Sequence, residues 1–202
     1  IQPGENDLDG IVLSALTGSI QDLYGNDAVL TLNNAGSTAG VYVYTDKSTA
    51  VLSSVSTLVN SAFEVTATFN EKVSGLSAAD FTIGNGTASN LHTSDNITYT
   101  FTVTPMADGN VTITLPADMA VNIGDNGNTA TNTLTVVADV TAPIVTSIAV
   151  PANDYYKAGD VLNFEVRFGE AVTVTGTPRI AITMGSSTVY ADYAGGTGTS
   201  AL

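Results

Sequence analysis

Apolar and polar residues alternate singly along several stretches of the chain. Phe63, Val65, Ala67 and Phe69 are separated by Glu64, Thr66 and Thr68, and Ile97, Tyr99, Phe101 and Val103 by Thr98, Thr100 and Thr102. Val111, Ile113 and Leu115 alternate with Thr112 and Thr114, and Leu162, Phe164, Val166 and Phe168 with Asn163, Glu165 and Arg167. A period of two places apolar side chains on one face of a strand and polar ones on the other, so each run predicts a strand with one buried and one wet face. Between the runs stand Asn85-Gly86, Asp108-Gly109, Asn126-Gly127 and Gly195-Gly196, pairs that tolerate the backbone of tight turns. No stretch keeps an apolar i, i+3, i+4, i+7 pattern beyond about two helical turns. Short strands punctuated in this way predict an all-β fold of antiparallel β-sandwich modules.

The pattern repeats. Val65-Thr66-Ala67-Thr68-Phe69-Asn70-Glu71-Lys72-Val73 matches Phe164-Glu165-Val166-Arg167-Phe168-Gly169-Glu170-Ala171-Val172 at an offset of 99. Asp22-Leu23-Tyr24-Gly25-Asn26-Asp27-Ala28 is echoed about a hundred residues later by Asn122-Ile123-Gly124-Asp125-Asn126-Gly127-Asn128-Thr129-Ala130. Asp46-Lys47-Ser48-Thr49-Ala50 pairs with Asp139-Val140-Thr141-Ala142-Pro143. The unit is about 95–100 residues, an ordinary sandwich size. In this phasing residues 47–139 form a complete module, 1–46 the late strands of another and 140–202 the early strands of a third. Ile1-Gln2-Pro3-Gly4 has neither the basic start nor the apolar stretch of a signal peptide, and the phase reads as a mature or excised piece.

Composition narrows the classes. Five Lys and Arg face 19 Asp and Glu, a formal net charge of −14, which leaves no basic footprint for nucleic acid or an anionic membrane. No apolar run approaches the ~20 residues of a membrane span, so membrane insertion is not expected. Absence of Cys removes disulfides, thiolate metal sites and thiol catalysis. Thr occurs 30 times, an excess that suits β-branched strand surfaces.

Phe69-Asn70-Glu71-Lys72-Val73 followed by Leu76-Ser77-Ala78-Ala79-Asp80-Phe81 resembles the F-x-E-x-V and S-x-x-D-F signature of bacterial Ig-like repeats of large secreted adhesins and biofilm proteins. Asp139-Val140-Thr141-Ala142-Pro143 resembles the D-x-T-A-P linker of that family. Ala158-Gly159-Asp160, Glu170-Ala171-Val172 and Gly196-Thr197-Gly198-Thr199 resemble the first half of a related repeat type, and Gly4-Glu5-Asn6-Asp7-Leu8-Asp9-Gly10-Ile11 its second half. The resemblance implies tandem Ig-like modules at the cell surface or secreted. It also implies Ca²⁺ bound at module junctions, here by the linker residues Asp46 and Asp139, the strand-end Glu71 and Glu170, and the turns Asp22/Asn26 and Asn122/Asp125/Asn126. Oxygen-rich, Gly-containing turns suit a hard cation, and Asp and Asn also favour turns for their own sake. Asn122 and Asp125 depart from the family's usual Asp and Gly. Asp7 and Asp9 precede Gly10 as in the opening of an EF-hand loop, but Leu16 stands where the closing Glu belongs, so a non-helical calcium turn is the reading there.

Catalytic signatures are missing. His92 has no second His at metal spacing, and no G-x-S-x-G, H-E-x-x-H or phosphate loop is present, so the chain reads as no enzyme. Sequons at Asn85, Asn96 and Asn110 read mainly as turns, and Lys47, Lys72 and Lys157 carry no legible isopeptide trio. The first functional reading is a calcium-stiffened stalk of an adhesin or surface fibre, whose partners are neighbouring Ig-like modules. The alternative is a head-to-tail homopolymer, a filament in which the half-modules of successive subunits complete each other by strand addition. A lesser alternative is a carbohydrate-binding module using Tyr42, Tyr44, Tyr155, Tyr156, Tyr190 and Tyr193.

Overall fold

The alternating rows become strands because each can bury one face against another row. The computed structural model describes residues 1–33 and 35–202. In chain order the strands are β1 (Ala50–Ser53), β2 (Leu58–Val59), β3 (Phe63–Phe69), β4 (Thr82–Gly84), β5 (Gly86–Thr93), β6 (Thr98–Pro105), β7 (Gly109–Thr114), β8 (Leu134–Ala138), β9 (Val145–Ala149), β10 (Glu165–Val172), β11 (Arg179–Met184), β12 (Ser187–Asp192) and β13 (Thr199–Ala201). A 3-10 turn at Ala78–Asp80 is the one helical piece among the described residues.

Two four-stranded sheets, in the orders β1-β3-β6-β5 and β2-β8-β7-β4, form the central module. Pairing is antiparallel except between β2 and β8, where Leu58 lies beside Val137 in a short parallel contact. From β3 and β6 of the first sheet, Phe63, Val65, Ala67, Phe69, Tyr99, Phe101 and Val103 point inward. They meet Val111, Ile113, Val136 and Ala138 of the second sheet in one core. Phe81 closes on Phe101 with ring centres 4.2 Å apart, and Phe69 meets Tyr99 edge-on at 5.7 Å. Each such side chain contributes about 1.5–3 kcal/mol on burial, the main stabilising term of the module.

The chain divides into two compact units, Ile1–Val140 and Thr141–Leu202. In the second, β9, β10 and β13 form a sheet in the order β13-β10-β9, and β11 and β12 a separate hairpin. The expected strand beginning at Leu162 starts instead at Glu165, because its partner β9 stops at Ala149, opposite Glu165. Pro151 follows and has no N–H to extend the ladder. Residues 1–46 hold no strand of two or more residues among the described ones. They are tied instead by an antiparallel bridge between Asp7 and Val43 and another between Gln21 and Asp27. No described residue up to Asp46, and none from Thr141 onward, is buried. The core belongs to the central module alone.

Candidate functional site

The densest polar structure lies where the segment Val43–Asp46 runs into the central module. Two elements meet it there. Glu71 follows the end of β3, and the turn Asn122–Asn126 is fixed beside it by the Ser74–Val121 bridge, whose backbone bonds are 2.8 and 3.0 Å. The turn is built by Asn122: its Oδ1 accepts the N–H groups of Gly124 and Asn126 at 3.0 and 3.1 Å. Asp125, exposed, contributes its left-handed backbone with φ 56°. Because Oδ1 is used inside the turn, the Asn122 amide nitrogen faces outward, donating to the carbonyl of Asp46 at 2.7 Å and to Glu71 Oε1 at 3.1 Å. Asn126 Nδ2 donates to the carbonyl of Tyr44 at 2.7 Å, and the Tyr44 hydroxyl donates to Glu71 Oε2 at 2.6 Å. The contact needs a glycine at 124, since a Cβ there would lie 2.8 Å from the Tyr44 carbonyl oxygen. The bond to Glu71, then desolvation, then the charges of Glu71 and Asp46 push the Tyr44 phenol above its ordinary value.

Asn6 extends the clasp on the other side. Its Nδ2 donates to the Asp46 carboxylate, and its Oδ1 accepts the Thr45 N–H at 2.7 Å. Asp46, Glu71, Asn122 and Asn126 are therefore brought together, with Tyr44 and Asn6 as members that the motifs did not single out. A tyrosine two residues before the linker aspartate was the available signal for the first. Asn6 carried none beyond its place in an Asx-rich turn.

The remaining expected ligands lie elsewhere. Asp139 donates its N–H to the carbonyl of Val59 at 2.9 Å and lines an open hollow with Asn60, Ser61 and Glu64. Glu170 sits half-buried on β10. Asp7 folds its own turn, Oδ1 accepting the Gly10 N–H at 3.0 Å, and Asp9 is exposed. Among the described residues no group of three or more His, Cys, Asp or Glu is placed to hold a metal. At the clasp, the acceptors on Glu71 and on the Asp46 carbonyl already receive amide and hydroxyl protons, an arrangement that locks geometry rather than moving a proton.

Turn 20–28 repeats turn 120–128 in its hydrogen bonds. Asp22 N–H donates to Asn26 O at 2.9 Å as Asn122 does at 3.1 Å, and Ala28 N–H reaches Ile20 O at 2.7 Å as Asn128 reaches Ala120 at 2.9 Å. Asp22 Oδ1 accepts from Tyr24 and Asn26 N–H, both at 2.9 Å, and Gly25 holds the left-handed position with φ 84°. Asp22 Oδ2 accepts from Asn26 Nδ2 at 2.8 Å. The side-chain bond of Asn26, with the backbone N–H groups of Asn26 and Tyr24, holds the Asp22 carboxyl below its ordinary value. Exposed Tyr24 stands at the place of Gly124.

Several of the tyrosines are engaged one by one. Tyr44 is engaged by Glu71, Tyr190 lies under the Arg179 guanidinium at 4.0 Å, and the Tyr156 hydroxyl donates to Ala152 O at 2.9 Å. Tyr193 accepts the Thr197 N–H at 2.9 Å, and Tyr42 and Tyr155 are exposed. His92 is an exposed strand residue whose Nε2 lies 2.7 Å from Thr100 Oγ1.

No helix among the described residues is long and apolar enough to cross a membrane. No curated protein and no solved structure matches the chain. Residues 44–138 match a family described as "Bacterial Ig-like domain", a span that opens at Tyr44 and contains both four-stranded sheets. Over these residues the chain is similar to that family, and its two four-stranded sheets have the β-sandwich architecture of an Ig-like domain.

Proposed function

We propose that this chain is a non-catalytic structural segment of an extracellular bacterial adhesin or surface fibre, acting as a stiff spacer. The observation that carries the reading is the clasp of Tyr44, Asp46, Glu71, Asn122 and Asn126. Three hydrogen bonds join the incoming segment and its linker to the module, each worth about 0.5–1.5 kcal/mol, and a fourth, from Asn122 to Glu71, ties the two receiving elements together. They converge from two elements, so they fix direction as well as distance. A spacer needs that: a joint that bends freely transmits neither position nor load. The reading requires a single orientation of the incoming segment, and a broad spread of distances across the joint would overturn it.

Calcium belongs to the proposal as a second stiffening agent. Asp22 presents a carboxylate where Asn122 presents an amide, so an acceptor stands in place of the donor that Glu71 and the Asp46 carbonyl use. A joint closed by the Asp22/Asn26 turn against the strand-end and linker carboxylates of a neighbouring module would set oxygen against oxygen, and a hard divalent cation turns that repulsion into coordination. Asp46 and Glu71 already accept from amide donors, Asn6 and Asn122. Calorimetric titration of Ca²⁺ into the chelated full chain should give a heat of binding that Asp22→Asn removes. No heat with the unaltered chain would end the calcium proposal and leave the hydrogen-bonded spacer standing.

A further inference from the structure

Asn126 lends the clasp its amide and is followed in the chain by Gly127. An asparagine amide is thermolabile, and most so before glycine, where no side chain hinders the next backbone nitrogen from reaching the amide carbon. Neither residue is free to change here. A Cβ at position 127 would lie 2.8 Å from Asp118 Cα, so the packing of Asp118 requires glycine. At position 126 the amide nitrogen donates to Tyr44 O at 2.7 Å and lies 3.4 Å from Asn122 Oδ1, so the joint requires the amide. Two separate demands of the fold thus place a labile dipeptide at the joint. The matching turn 20–28 has Asp27 after Asn26 and no such pair.

The Gly127 nitrogen is also left available. Gly127 faces Val121 in an antiparallel bridge, but the bonds are made by the neighbours, Asn122 N–H to Asn126 O at 3.1 Å and Asn128 N–H to Ala120 O at 2.9 Å. Its own N–H takes no part in that pairing. What restrains the reaction is the clasp, which holds the amide nitrogen on Tyr44 O and keeps Cγ from swinging onto the Gly127 nitrogen. Ring closure then draws on the fraction of joints standing open.

We infer that Asn126-Gly127 is a self-modification site, a deamidation point that the closed clasp protects and whose product loosens the joint. The Gly127 nitrogen gives up its proton to hydroxide and bonds to Asn126 Cγ. The Cγ–Nδ2 bond breaks, and Nδ2 leaves as ammonia after taking a proton from water. Water adds to one carbonyl of the succinimide and opens the ring, leaving aspartate or isoaspartate at 126. One water is consumed and one ammonia released, with nothing oxidised or reduced. The atom expelled is the donor to Tyr44. The carboxylate left behind faces the Tyr44 carbonyl and Asn122 Oδ1, acceptor against acceptor. Isoaspartate also adds a backbone carbon inside the turn that Asn122 closes. A joint held open is therefore converted, with time, into one that no longer closes.

The sequence supplies an internal control, its other Asn-Gly pair, Asn85-Gly86. That pair sits at the Pro105 end of β6, whereas Glu71 lies beyond the Thr98 end, and Asn85 Nδ2 is bonded to Ala107 O at 2.9 Å. The test ages two full-length chains in warm, mildly alkaline buffer, the unaltered one and Tyr44→Phe with Asn6→Ala. The double variant removes three side-chain bonds of the incoming segment and leaves residues 126 and 127 intact. Peptide mass mapping reads the amide-to-acid conversion at each site, and enzymatic methylation counts isoaspartate. Conversion at Asn126 should run roughly three- to tenfold faster in the variant, the rise in open population that such losses imply, with Asn85 unchanged. Asn126→Asp, which carries the product's carboxylate, should broaden the distance distribution between spin labels on Tyr42→Cys and Ser89→Cys. Equal rates at Asn126 in the two chains, a rise matched at Asn85, or an unchanged distribution in Asn126→Asp would overturn the inference. It rests on reading the clasp as the joint of a structural segment, and that reading fails separately, by a distribution already broad in the unaltered chain.

Discussion

Tyr44 and Glu71, 27 residues apart, meet through a hydroxyl-to-carboxylate bond of 2.6 Å, which anchors the segment entering the Ig-like module to the end of its third strand. Tyr44→Phe removes only the hydroxyl. It should destabilise the clasp by about 0.5–1 kcal/mol, below the usual range for a hydrogen bond to a charged group because the tyrosine is half-exposed. The carboxylate raises the Tyr44 phenol above its ordinary 10.0, so the protonated hydroxyl is the form that the fold favours. Its contribution is therefore fully present below pH 10 and is lost as pH rises through the raised value. Absorbance titration of tyrosinate should show two late-titrating groups, Tyr44 and the buried Tyr99, of which only Tyr44 moves earlier in Glu71→Gln. Identical titration in both proteins would break the link.

The core is confined to the central module, so equal truncations should have unequal costs. Phe101→Ala, at a side chain 1% exposed, should cost about 3–5 kcal/mol. Phe164→Ala, on a half-exposed face outside that core, should leave the main transition in place. With no Trp in the chain, urea unfolding followed by far-ultraviolet circular dichroism is the readout. Comparable losses in the two variants would mean that residues 141–202 share a core with the module.

Asn128 uses its whole amide. Oδ1 accepts from Met119 and Ala120 N–H, both at 2.8 Å, and Nδ2 donates to Pro116 O at 2.9 Å and Thr129 O at 2.7 Å, all with the residue fully buried. Asn128→Ala strands those backbone groups and should cost about 2–4 kcal/mol. Ser48 is also fully buried, but its hydroxyl has no partner among the described residues. Ser48→Ala should be neutral or stabilising by up to about 1 kcal/mol. Thermal melting of both variants checks the contrast, and a Ser48→Ala loss as large as that of Asn128→Ala would contradict it.

Periodicity made β3, β6 and β7 legible, because a half-buried strand writes its geometry into every second residue. It misplaced the start of β10, since where a strand ends depends on its partner, and Pro151 lies just beyond the end of that partner. The repeat pointed to Asp46, Glu71, Asn122 and Asn126, which the fold assembles. It did not reveal that Asn122 would arrive as a donor. That follows from its Oδ1 being spent inside the turn, a local detail with a distant consequence. Tyr44, named in the sequence only among carbohydrate-binding candidates, and Asn6 were not legible as members of the clasp because their partners lie 82 and 40 residues away, at Asn126 and Asp46, and no short motif records such pairs.

The central claim, that the clasp makes a stiff joint, is tested most directly by a distance across it. The chain has no cysteine, so Tyr42→Cys and Ser89→Cys, both exposed, give two unambiguous spin-label sites, one on the incoming segment and one on β5. Pulsed dipolar spectroscopy should return one narrow distance distribution. It should broaden when Asn122→Ala and Asn126→Ala are added. A distribution already broad with both amides present, or one unchanged when they are removed, would contradict the account.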